Sequence, residues 1–182
     1  MNAIVVYESV YGNTRAIAEA VADGLGDARA LAVRDAGGAG AVADLIVAGG
    51  PTHMHGLSTA SSRQMAVKAA HEDGKTNVEE GADQEPGLRE WLHDLPHGDE
   101  LHAAAFDTRL DKSPWLTGVA AHSIARRLRQ RGYEVIGTES FLVEDSEGPL
   151  QDGEVERARA WGAKLASAVQ DAATRSQRAS AA

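Results

Sequence analysis

The chain has 182 residues, with 18 lysines and arginines, 27 aspartates and glutamates, and no cysteine, so its formal net charge is −9. This length suits one domain with its own core. Without cysteine, the chain has no disulfide, thiolate metal site, thiol nucleophile or iron–sulfur cluster. The acidic balance argues against nucleic-acid binding, because no basic run neutralises phosphates. It suits a basic protein partner, or simply solubility.

We expect neither a membrane span nor an export signal from this sequence. No apolar stretch approaches the roughly 18 residues of a membrane span, and the first residues lack the basic and apolar regions of a signal peptide. We therefore expect a cytoplasmic protein with no membrane contact, either a monomer or a weak homodimer.

Short apolar runs alternate with helical patterns along the chain. Strands are predicted over residues 2–7, 28–33, 44–49, 101–106 and 133–143. Helices are predicted over residues 14–25, 120–131 and 151–169, where apolar residues recur in steps of three and four. Alternating strands and helices predict right-handed crossovers and a doubly wound α/β domain with a parallel sheet.

Two segments lack this periodicity. Residues 71–87 carry six acidic residues and three glycines, which predicts a solvated acidic insertion. Residues 171–182 have almost no large apolar side chain, so we expect them to fray. The predicted organisation is a single domain over residues 1–170, with the insertion near 71–87 and a frayed tail over 171–182.

The segment after the first strand is the most informative. It reads Ser9-Val10-Tyr11-Gly12-Asn13-Thr14 and leads directly into a helix, whose first N–H groups can bind an anion without lysine. Ser9 and Thr14 add hydroxyl donors, and Gly12 lets the backbone approach a ligand closely. Asn13 suits either the helix cap or a phosphate contact, and an ordinary N-cap is the alternative interpretation. The segment lacks the Walker A lysine and the three glycines of dinucleotide motifs, so a mononucleotide phosphate fits best.

Three blocks, in this order, resemble the flavodoxin family. Residues 9–14 are similar to that family's phosphate loop, with Tyr11 in place of the middle hydroxyl. Residues 46–52 look like its third strand and first flavin loop, and residues 140–162 resemble its closing strand and helix. The resemblance implies a flavodoxin-like, doubly wound, five-stranded parallel sheet in the order 2-1-3-4-5. It also implies that FMN binds at the switch point, where the strand order reverses between strands 1 and 3. Flavodoxin is itself a standard example of this rule for ligand binding in open α/β sheets.

The resemblance further implies which residues contact the flavin. The second loop would cover one face of the ring and bond its edge, through Pro51, Thr52, His53, Met54, His55 and Gly56. The third loop would supply Asp107, Thr108 and Arg109, just past the end of its strand. Arg109 either favours the reduced, anionic flavin or pairs with Asp107 or Asp111.

Each tryptophan is assigned separately. Trp115 is the candidate for stacking on the flavin, because it belongs to no clear helical stripe. A loop anchor or a partner-facing residue is the alternative. Trp91 and Trp161 lie in helical patterns and are expected in the core.

The pair His53 and His55 also raises the question of a metal. Two imidazoles are too few, since a zinc site needs three or four ligands, and the other histidines lack a companion spacing. We expect no metal, and no residue is assigned a catalytic role.

These features predict an FMN-binding electron-transfer protein that shuttles electrons between a reductase and an acceptor. Acidic residues would steer basic redox partners, and Glu144, Asp145 and Glu147 form either a docking patch or a solvated turn. One alternative is an FMN-dependent quinone or flavin reductase with histidine proton donors. The other is a flavin-free binding module on the same fold.

Overall fold

The computed structural model describes residues 1–38, 40, 43–53, 56–72, 78–84, 86–99, 101–113 and 118–180. Its strands are β1 (Ala3–Tyr7), β2 (Arg29–Ala32), β3 (Leu45–His53), β4 (Gly56–Leu57), β5 (His102–Leu110) and β6 (Glu134–Val143). Its helices are α1 (Asn13–Leu25), α2 (Val33–Ala36), α3 (Ala60–Glu72), α4 (Leu88–Asp94), α5 (Ala120–Gln130) and α6 (Glu154–Ser180). None of these helices is long and apolar enough to cross a membrane.

The sheet has the predicted topology. Five strands pair in parallel in the order β2-β1-β3-β5-β6, and the two-residue β4 pairs antiparallel with the end of β3. Counted without β4, this is the order 2-1-3-4-5, so the doubly wound α/β fold is confirmed. Because the chain changes direction across the sheet between β1 and β3, a crevice forms at their carboxyl ends.

Each face of the sheet carries an apolar layer. On one face, α1 and α6 pack over the strands, and the rings of Phe106, Phe141 and Trp161 meet edge to face with centroids 6.0, 6.1 and 6.3 Å apart. On the other face, α4 and α5 bury Trp91 beside Leu128. Trp91 and Trp161 are therefore core residues, as predicted.

Two central strands run beyond their predicted ends at residues 49 and 106. The pairing of β3 with β5 continues, with Gly50 opposite Asp107 and Pro51 opposite Thr108. The predicted boundaries were therefore wrong at these two ends. Pro51, Thr52, His53, Asp107, Thr108 and Arg109 lie on strands rather than in loops.

Helix α3 was not predicted. Its buried residues, Arg63, Val67 and Ala70, have helical spacing, but the first is an arginine and interrupts the apolar stripe. The last two residues of α3 fall inside the segment expected to be an acidic loop.

Residues 78–84 pack against the fold rather than projecting away from it. Val78 and Ala82 contact Val10 and Val67, and the Glu79 N–H donates to the Val10 carbonyl at 2.8 Å. This part of the predicted insertion is thus held on the segment that follows β1.

Helix α6 continues to Ser180, so the residues expected to fray have a helical backbone up to that point. The side chains of residues 171 and 173–175 are exposed. Fraying of this helix end in solution stays a prediction.

Candidate functional site

A cavity of about 310 Å³ opens at the carboxyl ends of β1, β3 and β5, beside the start of α1. The predicted phosphate-loop residues that line it are Ser9, Val10, Tyr11, Asn13 and Thr14. Pro51, Thr52 and His53 line it from β3, and Thr108 and Arg109 line it from β5. Its volume is that of a small-molecule site, and it lies where ligands bind in open α/β sheets.

Four further residues, which sequence reasoning missed, also line the cavity: Leu110, Val143, Ser146 and Glu147. The last three lie at the end of β6 and in the turn after it. The strand order alone could have predicted them. Because β6 is parallel to its neighbour β5, the carboxyl ends of both strands lie at the same edge of the sheet. The prediction considered only the loops after the first, third and fourth parallel strands.

Three predicted site residues that the structure describes do not line the cavity: Gly12, Gly56 and Asp107. Met54, His55 and Trp115 lie outside the described residues. Gly56 belongs to β4 and pairs with His53. Gly12 forms the turn into α1 rather than the cavity wall.

The loop after β1 turns into α1 at Gly12. This residue has a φ of 84°, in the left-handed region that glycine adopts without strain. Gly12 is the N-cap and no side chain caps the helix, so Asn13 does not serve as the cap, which was one of the two roles considered for it. Asn13 instead donates from Nδ2 to the Glu147 carbonyl at 2.9 Å. The first N–H groups of α1 have no carbonyl partner within the helix, which leaves them for a ligand.

Three buried hydroxyls surround this helix start. Ser9 Oγ accepts the Gly12 N–H at 3.1 Å, so the Ser9 hydroxyl keeps its own proton to donate. Thr14 Oγ1 and Thr108 Oγ1 are 2.7 Å apart. Only one proton is used between two hydroxyls, so this pair also retains a donor. The Tyr11 hydroxyl donates to the Ala66 carbonyl at 3.5 Å, toward α3.

Asp107 and Thr52 serve the fold. Asp107 Oδ2 accepts from the Thr52 hydroxyl at 2.7 Å and from the Ala121 N–H at 3.2 Å. Thr52 Oγ1 accepts the Ala120 N–H at 2.9 Å. Together they cap the start of α5. The resemblance implied that Asp107 contacts the flavin ring. The structure does not place it there, because Asp107 is fully buried and does not line the cavity.

Arg109 donates from Nη1 to the carbonyls of Leu110 and Lys112, at 3.1 and 2.9 Å. It therefore bonds the backbone, instead of the suggested carboxylates of Asp107 or Asp111. Its Nε is buried and, within the described chain, has no hydrogen-bond partner.

His53 Nε2 is likewise buried, with no hydrogen-bond partner among the described residues. Burial lowers the pKa of His53, and the negative charge of Glu8 opposes that shift. The imidazole is therefore neutral near pH 7. A buried polar atom without a partner costs about 1–3 kcal/mol, so two of them on one cavity wall are typical of a binding site.

Behind the cavity lies an ionic cluster that sequence reasoning missed. The buried Glu8 carboxylate accepts from the Ser58 hydroxyl, from Arg63 Nη1 at 3.3 Å and from the Leu88 N–H at 2.9 Å. Arg63, fully buried, also lies 3.7 Å from Glu90. Because Glu8 immediately precedes Ser9, the cluster fixes the start of the phosphate loop against α3 and α4.

No protein-family model and no curated protein sequence matches this chain. Solved structures do match. A flavodoxin from the domain Archaea has a TM-score of 0.61 at 19% identity, over 93% of this chain and 99% of that one. The flavodoxin, WrbA-like protein from Agrobacterium tumefaciens has a TM-score of 0.59 at 22% identity, over 93% and 98%. A flavone reductase has a TM-score of 0.56 at 16% identity, over 94% of this chain and 64% of the other. The chain therefore has the flavodoxin-like fold.

Proposed function

We propose that this protein binds FMN in the cavity and passes electrons between a reductase and an acceptor. The observation that carries the proposal is the position of the cavity. It lies at the switch point of a flavodoxin-like sheet, against an uncapped helix start. Proteins named flavodoxins share this fold. Residues 9–14 resemble the phosphate loop of the flavodoxin family, and this supports FMN as the ligand.

The helix start suits the phosphate of FMN. A phosphate there would accept from the first N–H groups of α1, from Ser9 and from the Thr14–Thr108 pair. These donors are uncharged, so the phosphate would keep its charge inside an acidic protein, stabilised by the dipole of α1. The donor set therefore fits the group.

The cavity also has apolar lining, which suits the flavin ring. Val10, Leu110 and Val143 give it apolar walls. The buried atoms Arg109 Nε and His53 Nε2 stand nearby, with no hydrogen-bond partner among the described residues. Bound FMN would supply the redox chemistry, while these residues exclude water and place polar groups at the ring.

The acidic turn after β6 suits a basic redox partner. Glu144 and Asp145 are exposed, and Glu147 lines the cavity. Charges at the mouth of a redox site steer a partner of opposite sign toward it. We infer that reductase and acceptor both approach this turn, one after the other.

Reconstitution tests the flavin assignment. Protein stripped of ligand and mixed with excess FMN should retain one flavin per chain through gel filtration, with a perturbed flavin absorption band. Protein that leaves the column without flavin would remove the proposal and favour a flavin-free module.

A reductase is the second candidate, because the His53 imidazole lines the cavity and, being neutral, could take up a proton and then pass it on as the imidazolium. Stopped-flow mixing of the FMN-loaded protein with NADH or NADPH separates the two functions. We expect slow reduction by either nucleotide and fast reduction by a reduced protein donor. Fast bleaching by a nucleotide alone would replace the carrier with the reductase.

A further inference from the structure

Glu79 lies against the outer side of the phosphate loop. Its N–H donates to the Val10 carbonyl at 2.8 Å, and its side chain is 20% exposed. Its Oε1 lies 3.7 Å from the position that a Cβ would take at Gly12. A carboxylate is therefore held beside the turn that begins the anion-binding end of α1.

The charges around this carboxylate compensate it only weakly. Arg15 Nη1 is 3.9 Å from Glu79 Oε1, and Arg15 also bonds Glu19 at 2.8 Å. Arg34 faces Glu79 from α2 and donates to the carbonyl of Glu80. Tyr7 faces it from β1. The charges of Glu8 and Arg63 border the same cleft but pair with each other.

Burial raises the pKa of Glu79, whereas Arg15 and Arg34 lower it and Glu19 raises it further. An anion bound at the start of α1 would raise the pKa of Glu79, as Glu19 does. Binding of the anion and ionisation of Glu79 are therefore opposed.

We propose that Glu79 sets the affinity of the phosphate site, because its ionised carboxylate repels the phosphate and its protonated form does not. This inference rests on FMN as the ligand. It makes Glu79 a positioning residue that acts on the phosphate through the loop, without touching it. It also gives the docked segment 78–84 a function beyond covering Val10.

The sign of the pH dependence follows from linkage. The pKa of Glu79 is higher with phosphate bound than without it, so binding takes up a proton in the interval between the two values. FMN affinity should then fall as the pH rises through this interval. The second ionisation of the phosphate itself, near pH 6, must be measured separately.

The test compares Glu79→Gln with Glu80→Gln in the full chain. Glu80 is the exposed neighbour of Glu79, so Glu80→Gln removes the same charge from the same segment and serves as the control. Each protein is titrated with FMN and with riboflavin, which lacks the phosphate, at pH 5 and pH 8. Thermal unfolding of each variant checks that the segment remains folded.

We expect Glu79→Gln to tighten FMN binding about three- to tenfold at pH 8, and by a smaller factor at pH 5, where more of Glu79 is already protonated. Riboflavin affinity should not change, and Glu80→Gln should leave both ligands unaffected. Equal effects of the two substitutions, or the same change for riboflavin, would overturn this inference while leaving the FMN site intact. Absence of FMN binding to the parent protein would overturn both.

Discussion

Two polar regions meet at the end of β1, and they are built differently. Around Glu8, opposite charges and an N–H donor close on one another, with Arg63 held between two carboxylates. On the cavity side, hydroxyls and the start of α1 keep unused donors, and buried nitrogens of Arg109 and His53 have no hydrogen-bond partner in the part of the chain that the structure describes. The closed cluster stabilises the fold, whereas the open group is arranged for a ligand.

The largest expected effect comes from disrupting the closed cluster around Glu8. Arg63→Met leaves the Glu8 carboxylate buried without its cation and should lower the free energy of unfolding by about 3–5 kcal/mol. Chemical denaturation measures this change. Lys68→Met, on the same helix with a side chain 76% exposed, is the control and should stay within about 0.5 kcal/mol.

Adding Glu8→Gln to Arg63→Met should recover part of the loss, since no charge is then left buried. An Arg63→Met protein as stable as Lys68→Met would show that the cluster does not hold the fold.

The next effect tests the open region. Thr14→Val should weaken FMN binding by about 1–3 kcal/mol, roughly 5- to 150-fold in Kd, because the phosphate loses a buried donor. Thr108→Val should act similarly, and the double substitution should cost little more than either alone, since the hydroxyls are 2.7 Å apart. Fluorescence titration measures all three.

The control is Thr174→Val, on the exposed end of α6, which should leave the Kd unchanged. Independent, additive losses at Thr14 and Thr108 would show that the two hydroxyls do not act as one donor pair.

A smaller effect concerns the acidic turn at the cavity mouth. Glu144→Gln with Asp145→Asn should slow electron transfer to a basic acceptor about two- to fivefold at low salt, and less at high salt. Stopped-flow rates against ionic strength measure this. Glu156→Gln with Asp171→Asn removes two exposed charges from α6 and should reduce the rate less. An equal loss in both proteins would mean that net charge alone matters, and not this turn.

The smallest effect concerns His53. Its pKa is lowered by burial, so the folded protein binds fewer protons than the unfolded chain between the folded pKa and 6.5. His53 should therefore reduce stability as the pH falls below 6.5, and His53→Gln should lessen that reduction. An NMR titration of the imidazole, assigned through His53→Gln, should give a pKa below 6.5. A value above it would mean that Glu8 outweighs burial.

The parts of this molecule that the sequence predicted depend on neighbours along the chain. The order of hydroxyls and glycine in residues 9–14, followed by a helical stripe, is local, so its position before the first helix was predictable. The strand order followed from the alternation of strands and helices together with the family resemblance.

The missed features depend on contacts distant in sequence. Gly50 and Pro51 resemble loop residues and are drawn into β3 only by pairing with β5. Asp107 caps α5 through Ala121, and Arg63 reaches Glu8 from 55 residues away. Spacing along the chain carries no record of such pairs, so Asp107 was assigned to the ligand and the pair of Glu8 with Arg63 was missed.

Calorimetric titration of the ligand-free protein with FMN and with riboflavin tests the central claim most directly. The account predicts one FMN per chain, bound more tightly than riboflavin, with most of that advantage lost in Thr14→Val. Equal affinities for the two flavins, or no heat of binding with FMN in excess, would contradict a phosphate site at the start of α1.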